Sequence, residues 1–227
     1  MALHVSTPTH VSSGGCGRRG RDPLRISPIS LLIAAATLLV ACTAPGANDP
    51  LLPDDLDPAD DSTFCSIPLN EISDGGPGKD GIPALTDPEM VAAGDPGTQY
   101  IRGSDRVIGV VLDGQALAVP HRIGWYHEIV NLNYRGRQIA ITYCPLTGSS
   151  IVFDRSPIGG AELGVSGLLY QTNLIMYDRS TRESLWPQMA RGARCGPRTG
   201  TQLPTLPAYD MTWAGWLSLH PGARVVA

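Results

Sequence analysis

Short apolar runs separated by turn-forming residues fill the chain from Arg106 onward, and they limit it to a fold built from short strands. Val107–Leu112 is followed by Asp113-Gly114, a strong hairpin signal, and Gln115–Val119 is suited to return as the second strand. Four more runs have the same character: Gln138–Tyr143, Ser150–Asp154, Glu162–Val165 and Leu174–Tyr177. With 26 Gly and 20 Pro to form turns, the pattern predicts an α+β fold that is mostly β. We expect an antiparallel or mixed sheet of short strands, partly barrel-like, with a few short helices.

Two segments carry the signals of short helices. Thr86–Glu89 offers a polar cap, a proline in the first turn and an acidic residue after it, and Met90–Ala93 follows. A second helix is predicted over Thr212–Leu219, where Thr212 can act as the cap and a His-Pro pair ends the helix. Residues 75–83 are dense in glycine and proline, so an irregular loop is predicted there.

The first 41 residues resemble the signal peptide of a bacterial lipoprotein. Arginines between Arg18 and Arg25 precede the apolar run Ile29–Ala41, which has the length of a signal sequence and is too short to span a membrane. The run ends in Leu39-Val40-Ala41-Cys42, which resembles the lipobox at which a diacylglycerol is attached to the cysteine thiol. We therefore expect lipid on Cys42 and an anchor in the cell membrane or outer membrane, facing the extracytoplasmic side. The alternatives are an ordinary secretory signal and a short buried helix.

Residues 42–63 have the composition of a disordered acidic tether, with six Asp, four Pro and no basic residue. Residues 64–227 then form a single β-rich domain. Removal of residues 1–41 takes away four Arg and one Asp, so the net charge falls from −4 to −7. A chain this acidic lacks the basic footprint that nucleic-acid binding needs, and the expected partner is the membrane, through the lipid on Cys42.

Cys144 and His127 are the residues of this domain best suited to chemistry. Cys144 ends a predicted strand and begins a turn, where backbone N–H groups can stabilise a thiolate. His127 is a candidate base for that thiol, or a second ligand beside it for a soft metal such as copper. The alternative is a structural role for both, because a single Cys at a strand end is usually a small buried apolar residue. No CxxC pair is present, since Thr147 occupies the position that would complete one.

Several motifs in this order resemble a bacterial and archaeal family, the domain of unknown function family 3179, whose members are typically exported. They are GGPGKDGIPAL, WYHEIVN, ITYCPLTGSSIVFDR, LGVSGLLYQTNLIMYDRSTRESLWPQM and MTWAGWLSLHP. The resemblance runs from about Ile72 to the end of the chain and implies no activity. Members commonly read Cys-Pro-Leu-Cys where this chain has Cys144-Pro-Leu-Thr147, which points to a role needing one thiol or none. Members also commonly extend beyond the His-Pro pair, so the chain is expected to be truncated at its C-terminus.

The resemblance also singles out a run of polar and aromatic residues as a candidate ligand site. The candidate binding residues are Tyr143, Asn173, Tyr177, Asp178, Arg179, Trp186 and Gln188. In the functional interpretation, Asp178, Arg179 and Gln188 line a pocket. In the structural one, the Asp-Arg pair forms a turn or ion pair and Trp186 belongs to the core.

Three hypotheses about function remain open at this point. The first is a binding module for a small ligand or soft metal, centred on Cys144 and His127. The second is an enzyme with Cys144 as nucleophile and His127 as base, and the third is an envelope scaffold without a small-molecule site. An exported protein lies in an oxidising compartment, so one disulfide among Cys65, Cys144 and Cys195 is expected. A bridge between Cys65 and Cys195 leaves Cys144 free, whereas a bridge that uses Cys144 removes the thiol chemistry.

Overall fold

The computed structural model describes residues 64–227, so the predicted signal peptide, the tether and Cys42 lie outside the described residues. This part of the chain forms two helices, α1 (His121–His127) and α2 (Trp213–Leu219). It also contains the strands β1 (Ile72–Asp74), β2 (Leu85–Thr86), β3 (Met90–Ala92), β4 (Arg106–Leu112), β5 (Gln115–Pro120), β6 (Ile129–Tyr134), β7 (Arg137–Cys144), β8 (Ser149–Asp154), β9 (Leu163–Tyr170), β10 (Asn173–Asp178), β11 (Leu185–Pro187), β12 (Thr205–Leu206), β13 (Tyr209–Thr212) and β14 (Arg224–Val226). In residues 64–227, neither helix has the length and apolar character needed to cross a membrane.

The strands form three sheets, whose orders are β1-β9-β10-β11, β12-β8-β7-β6-β2 and β13-β4-β5-β14-β3. Most pairs are antiparallel, while β2 pairs with β6 and β14 with β5 in parallel. The predicted class, mostly β with mixed or antiparallel sheets and a few short helices, is confirmed. None of these three sheets in residues 64–227 closes on itself, so the partly barrel-like arrangement is not confirmed.

The sheet containing β7 is the middle layer of the domain, because apolar side chains leave both of its faces. Ile139 and Ile141 point into a cluster shared with β4 and β5, and Ala140 and Cys144 point into a cluster shared with β9 and β10. Successive side chains of a strand project to opposite faces. A strand covered on both sides therefore reads as a nearly continuous apolar run, as Ile139–Cys144 of β7 does apart from Thr142.

Three tight hairpins set the register of these sheets. Asp113-Gly114 joins β4 to β5 with positive φ at both residues, as a type I′ turn requires, so the predicted hairpin is confirmed. Arg135-Gly136 joins β6 to β7 in the same manner. In the hairpin between β9 and β10, Gln171 and Thr172 take the positive φ values, 49° and 64°, without a glycine. This third turn is strained, because a β-branched residue such as Thr rarely adopts positive φ.

The two helix predictions have opposite outcomes. Helix α2 forms as predicted, and the Thr212 side chain accepts a hydrogen bond from the backbone N–H of Gly215. The helix predicted after Thr86–Glu89 is wrong, because Met90–Ala92 forms β3 and pairs antiparallel with β14. The sequence signal was local, while the pairing partner lies near the far end of the chain. Helix α1 was not predicted.

The cysteines resolve the disulfide question that the sequence left open. Cys65 and Cys195 form a disulfide, and Cys144 is free and buried. The bridge ties the segment before β1 to the loop after β11, beside the outer face of the β9–β10 sheet, where Cys195 packs with Ile72 and Leu185.

Candidate functional site

A cleft of about 480 Å³ lies at the end of the β9–β10 sheet, beside Asn173, and we call it the Asn173 cleft. Its lining residues are Thr147, Ser149, Tyr170, Gln171, Asn173, Pro187, Met189 and Ala190. They come from the turn between β7 and β8, the β9–β10 hairpin and the short 3-10 turn after β11. The volume falls within the range of about 300–1,000 Å³ that is usual for small-molecule sites.

Buried amides and hydroxyls order the floor of the Asn173 cleft. The Gln188 side chain donates from Nε2 to Thr142 Oγ1 at 2.9 Å, and Thr142 donates to the carbonyl of Ile151 at 2.8 Å. Because the Thr142 hydroxyl hydrogen is used in this way, its oxygen must accept, which fixes the orientation of the Gln188 amide. Gln188 Oε1 then accepts from Asn173 Nδ2 at 2.9 Å and from Ser149 Oγ at 2.7 Å.

The same network reaches the mouth of the cleft through Thr147. Thr147 Oγ1 accepts from Asn173 Nδ2 at 3.0 Å and lies 2.8 Å from Ser149 Oγ. Asn173 Oδ1 accepts from the backbone N–H of Met189 at 3.1 Å. The floor is thus held from below, while the exposed hydroxyl of Thr147 keeps capacity to bond outward. A site of this kind is pre-organised before a ligand arrives.

The lining of the Asn173 cleft carries no charged side chain. Tyr170 and the exposed Met189 supply apolar wall, and Thr147, Ser149 and Gln171 supply hydroxyl and amide groups. The strained hairpin residue Gln171 is part of this wall, and strained backbone concentrates at functional sites. The chemistry of the cleft suits an uncharged ligand that has hydrogen-bonding groups on a compact frame.

Of the residues predicted to bind a ligand, Asn173 and Gln188 meet at this cleft. Tyr143 lies elsewhere, because it projects from the opposite face of β7 to Cys144. Its ring is 4.5 Å from that of His121 and packs against Gly124, where a Cβ would come within 2.9 Å of the ring. Burial, followed by the nearby charge of Asp210, raises the pKa of the Tyr143 hydroxyl.

Cys144 and His127 do not form a common open site. Cys144 is 1% exposed and packs among apolar side chains that include Phe153, Leu174 and Trp186. His127 ends α1, and its Nδ1 lies 2.8 Å from the carbonyl oxygen of Pro83. No hydrogen bond joins the two side chains, although both belong to the described residues. A thiol enclosed in this way is usually inert, so the nucleophile and base roles remain predictions without support from the geometry.

The residues also do not fit the predicted soft-metal centre. Within residues 64–227, no group of three or more His, Cys, Asp or Glu side chains is arranged to hold a metal ion. A copper site formed by Cys144 and His127 would need further donors beside the sulfur. The cluster that encloses that sulfur is aliphatic and aromatic apart from the thioether of Met176.

The other predicted binding residues form a cluster of ion pairs behind β10. Arg179 Nη2 lies 2.7 Å from Asp80 Oδ1, and the Tyr177 hydroxyl donates to Asp80 Oδ2. Lys79 pairs with Glu183 at 2.5 Å. Burial and the bond to Asp80 raise the pKa of Tyr177. These contacts hold the loop of residues 75–83 against the sheet, which is the ion-pair alternative of the sequence analysis.

Asp178 and Trp186 lie beneath that surface cluster and are fully buried. Asp178 Oδ2 accepts from Trp186 Nε1 at 3.0 Å and lies 3.3 Å from Arg198 Nε, while Ser180 Oγ donates to Asp178 Oδ1. Neither residue lines the Asn173 cleft. The prediction that they bind a ligand stays untested.

Residues 79–227 match the family described as protein of unknown function (DUF3179). The match covers about two thirds of the chain. The chain belongs to this family. No curated protein and no solved structure matches the chain. In this DUF3179 chain, the matched segment contains the whole lining of the Asn173 cleft and the ion-pair cluster, while Cys65 of the disulfide lies outside it.

Glu128 is a second candidate residue of this DUF3179 chain that the sequence analysis missed. It follows α1 and lines an apolar pocket of about 230 Å³, which we call the Glu128 pocket. Burial raises the pKa of its carboxyl group from 4.5 to about 7. A perturbed carboxyl group in a concave site is a typical sign of function. The sequence signal was a single acid inside the otherwise apolar and aromatic stretch Trp125–Val130.

Proposed function

We propose that this DUF3179 chain is a lipid-anchored extracytoplasmic protein whose domain binds a small uncharged ligand in the Asn173 cleft. The observation that carries the proposal is the ordered, charge-free hydrogen-bonding floor formed by Asn173, Gln188 and Ser149. Buried polar networks of this type are costly unless every member is satisfied, and here each has its partners. The hydroxyl oxygen of Thr147, which lines the cleft, can accept one further hydrogen bond.

The ligand class follows from the lining. A charged ligand would lose its hydration on entering the cleft and would find no opposite charge there, so its binding would carry a desolvation penalty. A hydroxyl-bearing ligand can donate to the remaining lone pair of Thr147 Oγ1, and the Tyr170 ring and Met189 can cover its apolar face. We therefore infer a ligand of the neutral sugar or polyol class, of a size that fits about 480 Å³.

Replacing Thr147 with valine is expected to weaken binding of such a ligand about tenfold, because one hydrogen bond to the ligand is lost. The test is calorimetric titration of the full chain, in a polyoxyethylene detergent, with glucose, maltose and N-acetylglucosamine. Glucosamine and glucuronic acid provide charged counterparts. Because Thr147 also bonds to Asn173 and Ser149, the melting temperature of the variant is measured to separate loss of the ligand bond from disturbance of the floor.

Thr205→Val is the matched control, because Thr205 is an exposed strand residue that does not line the cleft and pairs with Phe153, at the other end of β8 from Ser149. It should bind as the wild type does. If no neutral compound binds, or if Thr147→Val and Thr205→Val bind equally well, the cleft is not the site. The scaffold hypothesis would then be favoured.

The lipid anchor is supported by the sequence Leu39-Val40-Ala41-Cys42 after an apolar run. One acyl chain gives only marginal membrane binding, and a diacylglycerol thioether supplies two. In cells grown with labelled palmitate, the wild-type chain should carry label and sediment with membranes. The Cys42→Ser chain should carry no label. Label retained on the variant would contradict lipidation at this residue.

A further inference from the structure

The Glu128 pocket lies on the opposite side of the β7–β8 turn from the Asn173 cleft. Pro145 and Leu146 of this turn line the Glu128 pocket, while Thr147 and Ser149 line the cleft. The remaining walls come from α1, from β9 and β10, and from the loop of residues 75–83. The two cavities share no lining residue, so each can be altered without removing a wall of the other.

Glu128 is the single charged side chain among the residues that line its pocket. Within residues 64–227, its carboxyl group makes neither a hydrogen bond nor an ion pair, whereas its backbone is bonded on both sides. The backbone N–H donates to the carbonyl of Gly124 at 2.8 Å, and the backbone carbonyl accepts from Tyr143 at 2.7 Å. The side chain is partly exposed, so the carboxylate keeps part of its hydration, while the apolar walls remove the rest without supplying a partner.

The backbone of Glu128 is also strained. Its φ is 55° and its ψ is −33°, outside the usual regions for a residue with a side chain. Glycine is the residue that adopts positive φ without this penalty. Strained backbone is concentrated at functional sites, so a strained glutamate that lines an apolar pocket indicates a candidate site.

Trp125 supplies an aromatic surface to the same pocket. Trp125 belongs to α1, Glu128 is the residue that follows this helix, and both line the pocket. The Trp125 side chain is 59% exposed, whereas the other three tryptophans of the chain are at most 6% exposed. An aromatic face beside a carboxylate is the combination that recognises an organic ammonium group.

We propose that the Glu128 pocket binds a small organic ammonium ion, with the cation between the Glu128 carboxylate and the Trp125 ring. The apolar remainder of the ligand contacts Leu146, Leu168 and Leu174. Because the pocket volume is below the usual range for drug-sized ligands, the ligand is a compact one. This site is independent of the proposed sugar-class ligand of the Asn173 cleft.

The test uses benzyltrimethylammonium, whose charge is permanent, with benzyl alcohol as a neutral aromatic control and benzoate as an anionic one. Because Trp125 is the exposed tryptophan, the emission of the full chain at pH 8 should shift to shorter wavelength as the ammonium ion binds. Calorimetry in the same detergent gives the affinity. Benzyltrimethylammonium should bind saturably and at least tenfold more tightly than benzyl alcohol, and benzoate should not bind.

Glu128→Gln should weaken benzyltrimethylammonium binding about tenfold or more and leave benzyl alcohol unchanged. Trp125→Leu, followed by calorimetry, should weaken the cation severalfold. Glu71→Gln, at an exposed glutamate that does not line the pocket, is the matched control and should bind as the wild type does. Equal cation affinity in the wild type and Glu128→Gln, or no saturable binding in the wild type, would overturn the proposal. Thr147→Val should leave ammonium binding unchanged, which separates this test from that of the Asn173 cleft.

Discussion

Replacement of Asp178 with alanine is expected to lower the free energy of unfolding by about 3–5 kcal/mol. Asp178 is fully buried at the end of β10, and its carboxylate accepts from the Trp186 indole and from Ser180 beside the Arg198 guanidinium. Removal of the carboxylate leaves the fully buried indole N–H without an acceptor. It also leaves the guanidinium of Arg198 without its counter-charge.

The measurement is urea unfolding of the full chain, followed by tryptophan emission, in the wild type and four variants. Asp178→Asn keeps one acceptor and should lose less stability than Asp178→Ala. Arg198→Ala leaves the fully buried Asp178 carboxylate without its counter-charge but with its bonds from Trp186 and Ser180, so it should also lose stability, by less than Asp178→Ala. Thr205→Val serves as the unaffected reference. A loss below about 1 kcal/mol in Asp178→Ala would mean that the buried carboxylate does not stabilise the fold, contrary to the magnitude expected for such pairs.

The sequence predicted those parts of the fold that depend on neighbours along the chain. The Asp113-Gly114 hairpin and the Thr212-capped helix were correct because turn and cap preferences act within a few residues. Met90–Ala92 was misread because a local cap signal was outweighed by pairing with β14. Such pairing depends on residues distant in sequence, which no local pattern contains.

The candidate site was predictable to a similar extent. Asn173 and Gln188 were named from a motif resemblance, and they do meet, at 2.9 Å. Their partners Thr147 and Ser149 were not predicted to bind a ligand, because the contact between the β7–β8 turn and β10 depends on how the sheets pack and not on neighbouring residues. Tyr143 and Cys144 were grouped together, yet adjacent residues of a strand face opposite sides, and here a separate sheet covers each side.

Glu128 shows most clearly what local sequence cannot supply. Its environment is built by β9, by β10 and by the loop of residues 75–83, all distant from it in the chain. The raised pKa of Glu128 therefore follows from long-range packing. The residues next to Glu128 in the sequence do not show whether its carboxyl group is enclosed or lies in a solvent-exposed loop.

Glu128→Gln is expected to raise the free energy of unfolding at pH 8 by about 2 kcal/mol, the opposite sign to most buried substitutions. The pKa of Glu128 rises from 4.5 to about 7 on folding, because burial disfavours the charged form. For an enclosed group, a tenfold change in the acid dissociation constant corresponds to about 1.4 kcal/mol. Since the side chain is partly exposed, screening by solvent reduces the full value to about 2 kcal/mol.

The pH dependence distinguishes this effect from simple repacking. Below pH 4.5 the carboxyl group is protonated in both the folded and the unfolded chain, so glutamate and glutamine should give equal stability. Between pH 4.5 and 7 the folded chain keeps a proton that the unfolded chain has released, so wild-type stability falls as pH rises. Above pH 7 both forms are ionised and the difference from Glu128→Gln should be constant.

Urea unfolding of the wild type, Glu128→Gln and Glu71→Gln at half-unit steps from pH 4.5 to 8 measures these differences directly. Other titrating groups affect all three proteins alike, so they cancel in the comparison. The Glu128 difference should grow from zero to its plateau, and it is compared at each pH with the difference for the exposed Glu71. A Glu128 difference that does not change with pH would show that the carboxyl group titrates as it does in water. The apolar walls would then not enclose the Glu128 carboxylate. The proposal of a cation in the Glu128 pocket would lose its basis, which is a carboxylate without a partner.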